Sequence, residues 1–240
     1  MSEHSPRRLR YTYIKKRFII LTDLIMDNTV VRPYTDALSA QKAKLDGYVA
    51  DSFKAIAIPA TKADVQVGSK SFLTVSGIWF LIVAVIGFVI GIIMKSNGLL
   101  YAAAAALLSA GYVYIKGKQA LHAEAYASLG QSIYNEIAAI VTEVSNRWSA
   151  FMAGQNDSLK KAVVASDATP DAKVAIIDDI ESTPAVTVNL SQIKDDLQTV
   201  GAEEDPADYR AYLAKAQSAV AAAIDTAEGA QSTIYSTIAK

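Results

Sequence analysis

An uncharged run of 23 residues constrains this chain more than any other feature of its sequence. Residues 72–94, FLTVSGIWFLIVAVIGFVIGIIM, contain no Asp, Glu, Lys, Arg or His. As an α-helix at about 1.5 Å per residue, the run is roughly 34 Å long, enough to cross a hydrocarbon core of about 30 Å. The alternative is a buried helix of a soluble domain, which rarely requires so long a stretch without a charge. The run therefore predicts a membrane-spanning helix.

A second uncharged run, residues 99–115, follows after the polar turn 95–98 and ends before Lys116 and Lys118. So short a turn makes the two helices antiparallel, which predicts a two-helix membrane hairpin over residues 72–115 with both chain ends on one side. Residues 1–71 contain 12 Lys and Arg and residues 116–240 contain 10, whereas the turn contains only Lys95. By the positive-inside rule we expect both termini in the cytoplasm, at a bacterial or archaeal inner membrane.

Small residues at intervals of four predict how the two spans pack. Small side chains allow close approach of helix backbones where no hydrophobic effect drives association. They either only close the hairpin or also contact another protomer. The residues expected at this contact are Gly87, Gly91, Ala102, Ala106 and Ala110. The tyrosines at the ends of the second span, Tyr101, Tyr112 and Tyr114, are typical interfacial anchors.

Residues 1–32 are expected to form a basic amphipathic N-terminal arm. Its basic side chains are Arg7, Arg8, Arg10, Lys15, Lys16 and Arg17. Each basic residue close to an anionic membrane contributes about 1 kcal/mol of attraction, so we expect the arm to bind anionic lipid head groups or an acidic protein partner. The net charge of −1 argues against nucleic acid.

Two cytoplasmic helical regions flank the predicted hairpin. In residues 33–71, Pro33 is expected to separate the arm from a helix over residues 35–58, whose inward side chains are Leu38, Leu45, Val49, Phe53 and Ile56. In residues 116–154, an apolar stripe predicts a long amphipathic helix that continues the second span. The stripe consists of Tyr126, Leu129, Ile133, Ile137, Ile140, Val144, Trp148 and Phe151. It packs on the helix over residues 35–58 or on another protomer.

The rest of the chain predicts a small helical module. Residues 155–204 have the composition of a linker with short helices, one beginning at Thr169-Pro170 and one capped by Ser191. Residues 205–240 predict an Ala-rich C-terminal helix, with an inward seam at Tyr209, Leu213, Ala216, Val220, Ala223, Ala227, Ala230, Ile234 and Ile238. Residues 155–240 contain 14 acidic and 7 basic groups. This acidic module either docks on the basic arm or stays soluble beside a negative membrane.

The sequence offers no residues that favour catalysis. It has no Cys and two His, and it lacks the phosphate-binding, nucleophile-elbow and zinc-binding motifs. Neither span contains an ionisable side chain of the kind that ion-coupled carriers place at membrane depth. We therefore predict an all-α integral membrane protein with no catalytic residues, cofactor or metal, which acts as a scaffold or accessory subunit and oligomerises or docks within a larger membrane assembly.

The alternative function is a homo-oligomeric pore. Over residues 35–152 the layout of helices around a central two-span hairpin resembles two-span effector domains of prokaryotic conflict systems and α-helical pore-forming toxins. The resemblance implies a channel built from several protomers. Such a pore would be lined by Ser, Thr and backbone groups, because the spans carry no charge.

Overall fold

The described residues of the 240-residue chain form only helices as regular structure, as expected for an all-α protein. A computed structural model describes residues 28–65, 67–68, 72–199 and 205–239. The helices are α1 (Asn28–Ala55), a 3-10 turn (Lys62–Asp64), α2 (Phe72–Ile93), α3 (Asn97–Ala165), α4 (Pro170–Glu181), α5 (Ser191–Thr199) and α6 (Pro206–Ile238). Residues 185–190, which have strand-like composition, form neither helix nor strand.

The chain divides into two compact units, and α3 and α6 contribute to both. The bundle unit contains the described residues up to Ala55, residues 137–189 and the C-terminal part of α6 from Ala216 onward. The span unit contains residues 56–136 and 190–215. The bundle unit therefore holds α1 and α4, whereas the span unit holds α2 and α5.

The core of the bundle unit confirms the inward face predicted for the first helix. Leu38, Leu45, Val49 and Phe53 of α1 are at most 5% exposed, and Ile56, which belongs to the span unit, is also buried. Polar contacts tie α1 to its neighbours. The Lys42 ammonium lies 2.8 Å from an Asp225 carboxylate oxygen of α6 and 2.6 Å from Asp46 on its own helix. The guanidinium of Arg147 on α3 lies 4.0 Å from the ring centroid of Tyr48.

The expected helix break at Pro33 is wrong, because Pro33 lies inside α1. Proline removes one backbone donor and its ring crowds the carbonyl four residues earlier, which normally breaks a helix interior. Here Pro33 is the sixth residue of the described helix, beyond the first four N–H groups that lack a helical partner, so its missing N–H removes one intrahelical hydrogen bond. Val31 is 1% exposed, so packing of the first turn against the bundle stabilises helical structure on the N-terminal side of the proline.

The predicted end of the long helix at Gly154 is also wrong. α3 begins at Asn97 and continues to Ala165, so residues 155–165 belong to the helix and not to a linker. Leu159 and Val163 are both fully buried and extend the apolar stripe. A glycine in a helix costs only about 1 kcal/mol, which burial of such side chains outweighs. The continuity of the second apolar run with the amphipathic helix is confirmed.

Helices α4 and α6 begin where their capping residues predict. α4 begins at Pro170 with Thr169 as its N-cap residue. At the start of α6, an Asp205 carboxylate oxygen accepts a hydrogen bond from the Ala207 N–H at 2.9 Å, and Asp208 accepts one from the Asp205 N–H at 3.2 Å. These bonds satisfy backbone donors that would otherwise lack a helical partner. The linker predicted over residues 155–204 contains two helices, as expected, but it begins only after Ala165, where α3 ends.

Candidate membrane-spanning helix pair

The burial pattern of α2 is the reverse of that in a soluble core helix. Its buried residues are Thr74, Gly77, Ala84 and Gly91, all of them small. Its large apolar side chains point outward, and Trp79 is 63% exposed. A helix in a soluble core buries its large apolar side chains, because their removal from water is the dominant favourable contribution to folding.

The first part of α3 shows the same reversal. Ala103 and Ala110 are 6% and 3% exposed, whereas Leu108 and Tyr112 are 76% and 64% exposed. Among the described helices, α2 and the N-terminal part of α3 are the two that are long and apolar enough to cross a membrane. Both segments belong to the span unit, so the contact between them lies within one compact unit.

Glycines set the close approach of α2 and α3. A Cβ atom built on Gly91 would lie 3.0 Å from Cδ2 of Leu100, near the turn. At the other end of the pair, a Cβ on Gly77 would lie 3.0 Å from the Tyr114 backbone nitrogen. Because Gly91 pairs with the start of α3 and Gly77 with a later residue, the two helices run antiparallel side by side. A larger side chain at either glycine would force the backbones apart.

The contact follows a spacing of seven residues, not the predicted spacing of four. On α2 the buried series is Gly77, Ala84 and Gly91, and on α3 it is Ala103, Ala110 and Gly117. A repeat of seven is typical of helices that cross with a slight left-handed twist, whereas G-x-x-x-G pairs favour a right-handed crossing.

The predicted packing residues are therefore only partly correct. Gly91 and Ala110 are buried in the contact, and a Cβ on Gly87 would lie 3.6 Å from the Ala103 Cβ. Ala106 is half-buried, and Ala102 is exposed and lies outside the contact between α2 and α3. Residues 102–106 are all alanine, and such a run does not define which face is inward. The sequence signal that could have defined it is the pair of glycines at 77 and 117, which permit the closest approach.

A defined helix end joins α2 to α3. Lys95 adopts a left-handed backbone conformation with φ 52°. The Ser96 N–H donates to the Gly91 carbonyl at 3.0 Å, and the Lys95 N–H donates to the Ile92 carbonyl at 3.2 Å. Together these features form a Schellman motif, which terminates α2 abruptly. The ammonium of Lys95 lies at a helix C-terminus, where the helix dipole favours positive charge.

The opposite end of the pair is basic and aromatic. Lys116 lies 5.9 Å from the ring centroid of Tyr112, and Lys118 lies 6.0 Å from that of Tyr114. Each pair is four residues apart on α3, so the long lysine side chains fold back along the tyrosine rings. Tyrosine and lysine side chains in this arrangement are typical of the boundary between hydrocarbon and water.

The predicted apolar stripe on α3 is buried within one chain. Ile133 in the span unit and Ile137, Val144 and Trp148 in the bundle unit are at most 1% exposed. Ile140 is also buried, whereas the flanking Leu129 and Phe151 are only half-buried. In the span unit, Gly130 takes the buried position instead of Leu129, because its Cα packs directly against the Leu197 carbonyl of α5. Most of the stripe is therefore not available for contact with a second protomer.

Polar contacts in the span unit join α6 to α3 and to α5. The Tyr209 hydroxyl donates to the Tyr126 carbonyl at 2.9 Å, and burial raises the pKa of Tyr126. The Lys215 ammonium lies 2.7 Å from an Asp196 carboxylate oxygen and lowers the pKa of that carboxyl. Among the described residues, no group of three or more His, Cys, Asp or Glu side chains is placed to hold a metal ion.

The basic side chains predicted to bind lipid or an acidic partner, Arg7 to Arg17, lie outside the described residues. The chain matches no family model, no curated protein and no solved structure.

Proposed function

We propose that this chain is an integral membrane scaffold or accessory subunit without catalytic activity. In this proposal α2 and the first part of α3 form a membrane-crossing hairpin, and both termini and the bundle unit are cytoplasmic. The observation that carries the proposal is the reversed burial of the helix pair. Small residues are buried at the helix contact, and large apolar side chains face outward.

The energetic cost of placing this surface in water supports membrane insertion. Between residues 72 and 94, 17 large apolar side chains are exposed. If each loses about 1 kcal/mol by remaining half-exposed to water, the total is on the order of 20 kcal/mol. That exceeds the whole stability of a typical domain, about 5–15 kcal/mol. A bilayer removes this cost, because lipid tails solvate the same side chains.

The placement of charge supports the proposed orientation. Lys116 and Lys118 follow the second apolar segment directly, whereas the turn between the helices carries only Lys95. Basic residues near the ends of spans favour the cytoplasmic side. The bundle unit, which carries ion pairs such as Lys42–Asp225 on its surface, is then accessible to cytoplasmic partners.

The scaffold is favoured over the homo-oligomeric pore by the burial of the α3 stripe. A pore requires several protomers, because two helices cannot enclose a water path. The stripe centred on Ile137 was the surface expected to assemble them, and most of it is buried within a single chain. A substitution such as Ile137→Asp would unfold the bundle whether or not the protein forms a pore.

Cysteine labelling tests the proposed topology. The chain has no Cys, so single substitutions need no background removal. Asn97 and Ser158 are both exposed. In sealed inside-out membrane vesicles, Ser158→Cys should react with an impermeant maleimide, and Asn97→Cys should react only after detergent is added. Reaction of both sites in sealed vesicles would contradict the topology.

A disulfide tests the helix contact itself. The Cβ separation of 3.6 Å at Gly87 and Ala103 falls within the range of about 3.5–4.5 Å that a disulfide requires. Gly87→Cys with Ala103→Cys should therefore crosslink within one chain under mild oxidation. The matched control, Gly87→Cys with Ala102→Cys, should remain reduced. Equal crosslinking of the two pairs would mean that the contact face is wrong.

Purification from native membranes distinguishes a scaffold from a pore. We expect mass photometry of a mild detergent extract to detect particles that contain this chain and other proteins, and planar bilayers to remain electrically silent after verified insertion. Step-like conductance from the purified chain alone would replace the scaffold with the pore. A monodisperse monomer with no co-purifying protein would remove both assembly functions.

A further inference from the structure

The helix pair carries an apolar groove beside its contact. The groove has a volume of about 390 Å³ and is lined by Gly77, Ile78, Leu81, Ala110, Gly111 and Tyr114. It exists because Gly111 has no side chain, and a Cβ atom placed there would have no neighbour within 4 Å. At about 30 Å³ for a group the size of water or a methylene, the volume has room for a segment of acyl chain.

Lys118 lies one helical turn beyond Tyr114, a lining residue of the groove, and contacts its ring. Ala110, Tyr114 and Lys118 follow each other at intervals of four along α3, so they lie on one face of the helix. Lys118 is half-buried, and its ammonium lies over the Tyr114 ring. No carboxylate among the described residues forms an ion pair with Lys118. Lys116 lies at nearly the same height but on another face, over Tyr112.

We propose that this groove binds one anionic phospholipid, with an acyl chain along Gly111 and the phosphate beside Lys118. The proposal rests on the membrane insertion proposed above. Tyr114 would then separate the two ends of the ligand, with its ring against the acyl chain and its hydroxyl toward the head group. An ammonium at the mouth of an apolar cleft, at the expected boundary of hydrocarbon and water, is complementary to a lipid phosphate.

The dimensions of the groove favour a lipid over a second copy of this chain. Its lining residues extend from Gly77 to Leu81 on α2 and from Ala110 to Tyr114 on α3, which is about one helical turn on each helix. Helices that associate in membranes contact each other over several turns through repeated small residues. A cleft of one turn accommodates a single hydrocarbon chain, and its charged end selects the head group.

Native mass spectrometry after reconstitution tests the proposal. The full chain is placed in vesicles with equal amounts of phosphatidylglycerol and phosphatidylcholine, extracted in mild detergent, and examined for retained lipid. We expect one retained lipid per chain and a preference of about fivefold for phosphatidylglycerol, the effect of one favourable lysine contact. Gly111→Leu fills the groove and should abolish retention. Lys118→Gln should keep a lipid but lose the preference.

Two matched controls isolate the groove. Ala102 is exposed and lies nine residues from Gly111, on the opposite face of α3 at about 100° per residue, so Ala102→Leu should retain the lipid. Lys116→Gln makes the same charge change as Lys118→Gln on another face and should keep the preference. Undiminished retention by Gly111→Leu, or equal effects of the two lysine substitutions, would overturn the proposal. Loss of a dimer in Gly111→Leu, with lipid retention unchanged, would assign the groove to a second copy.

Failure of the lipid site is distinguishable from failure of membrane insertion. Alkaline carbonate extraction of the same vesicles should leave the chain in the membrane pellet. A chain released by carbonate would contradict the hairpin. A chain that stays in the pellet but shows no lipid preference would contradict only the groove.

Discussion

The strongest test of the bundle core is the replacement of a buried amide. Gln231 on α6 is fully buried, and neither its Nε2 nor its Oε1 has a hydrogen-bond partner among the described residues. Burial raises the pKa of the neighbouring Tyr235 hydroxyl, and the Gln231 amide opposes this only in part, because no pair of their atoms has hydrogen-bond geometry. Burial of an unpaired amide costs about 1–3 kcal/mol.

Gln231→Met should therefore stabilise the bundle unit. Methionine has the same unbranched length and nearly the same helix propensity as glutamine, so the substitution chiefly removes the buried polar atoms. We expect the free energy of unfolding to rise by about 1–3 kcal/mol. The matched control is Gln217→Met on the same helix, where the side chain is only half-buried and a change within about 0.5 kcal/mol is expected.

Tryptophan fluorescence provides the assay. The chain has two Trp residues, and Trp148 is 1% exposed in the bundle unit. In a Trp79→Phe background, denaturant titration in mild detergent then reports unfolding around Trp148. If Gln231→Met lowers the free energy of unfolding by about 1 kcal/mol or more, the amide is satisfied in the folded chain, for example by ordered water, and the reasoning is refuted.

Three further predictions concern the bundle unit. The Trp148 indole donates to the Pro184 carbonyl at 2.8 Å and is 1% exposed, so Trp148→Phe removes a hydrogen bond and leaves a cavity, at a cost of about 2–4 kcal/mol. It should also speed proteolysis at residues 183–189, measured by limited digestion; unchanged digestion would contradict this. Burial raises the pKa of Tyr235, so above pH about 10 the unfolded chain releases a proton that the folded chain keeps, and stability falls as pH rises. Tyr235→Phe should reduce this fall in thermal unfolding between pH 8 and 10.5, and an unchanged fall would exclude Tyr235 as its cause. Lys42 and Asp225 form a partly exposed ion pair, so a double-mutant cycle with alanine should give a coupling of only about 0.2–1 kcal/mol, and a larger value would mean that solvent screens the pair poorly.

Sequence periodicity located the long helices but not every inward face. The first seam residues of α6, Tyr209 and Val220 among them, are buried as predicted. Beyond Val220, Ala227 and Ile238 are also buried as predicted. The other buried positions there are Ile224, Gln231 and Tyr235, in place of the predicted Ala223, Ala230 and Ile234. Successive inward residues of a helix are either three or four positions apart. In an Ala-rich segment the residues at these two spacings have similar hydrophobicity, so the sequence does not show which of them is buried. A buried glutamine also violates the rule that inward positions are apolar, so no hydrophobic pattern would select Gln231.

Helix ends were predictable where a side chain acts on the backbone locally. The starts of α4 and α6 follow from Thr169-Pro170 and Asp205-Pro206, because capping involves only neighbouring residues. The continuation of α1 through Pro33 depends instead on tertiary packing of Val31. Tertiary packing outweighs a local preference of a few kcal/mol, and a single sequence does not show which neighbours will supply it.

The buried residues of α3 change from small to large along the helix, and this change locates the proposed membrane boundary. From Ala103 through Gly117, the buried residues of α3 are small, and its large side chains are exposed. From Leu121 onward the buried residues are large, as at Tyr126 and Ile133, except for Gly130 at its contact with α5. The backbone geometry is helical on both sides, so the change reflects the surroundings. In lipid, close packing of small residues drives helix association, whereas in water the large apolar side chains must be removed from solvent. The boundary therefore lies between residues 117 and 121, beside the lysine to which we assign the lipid phosphate.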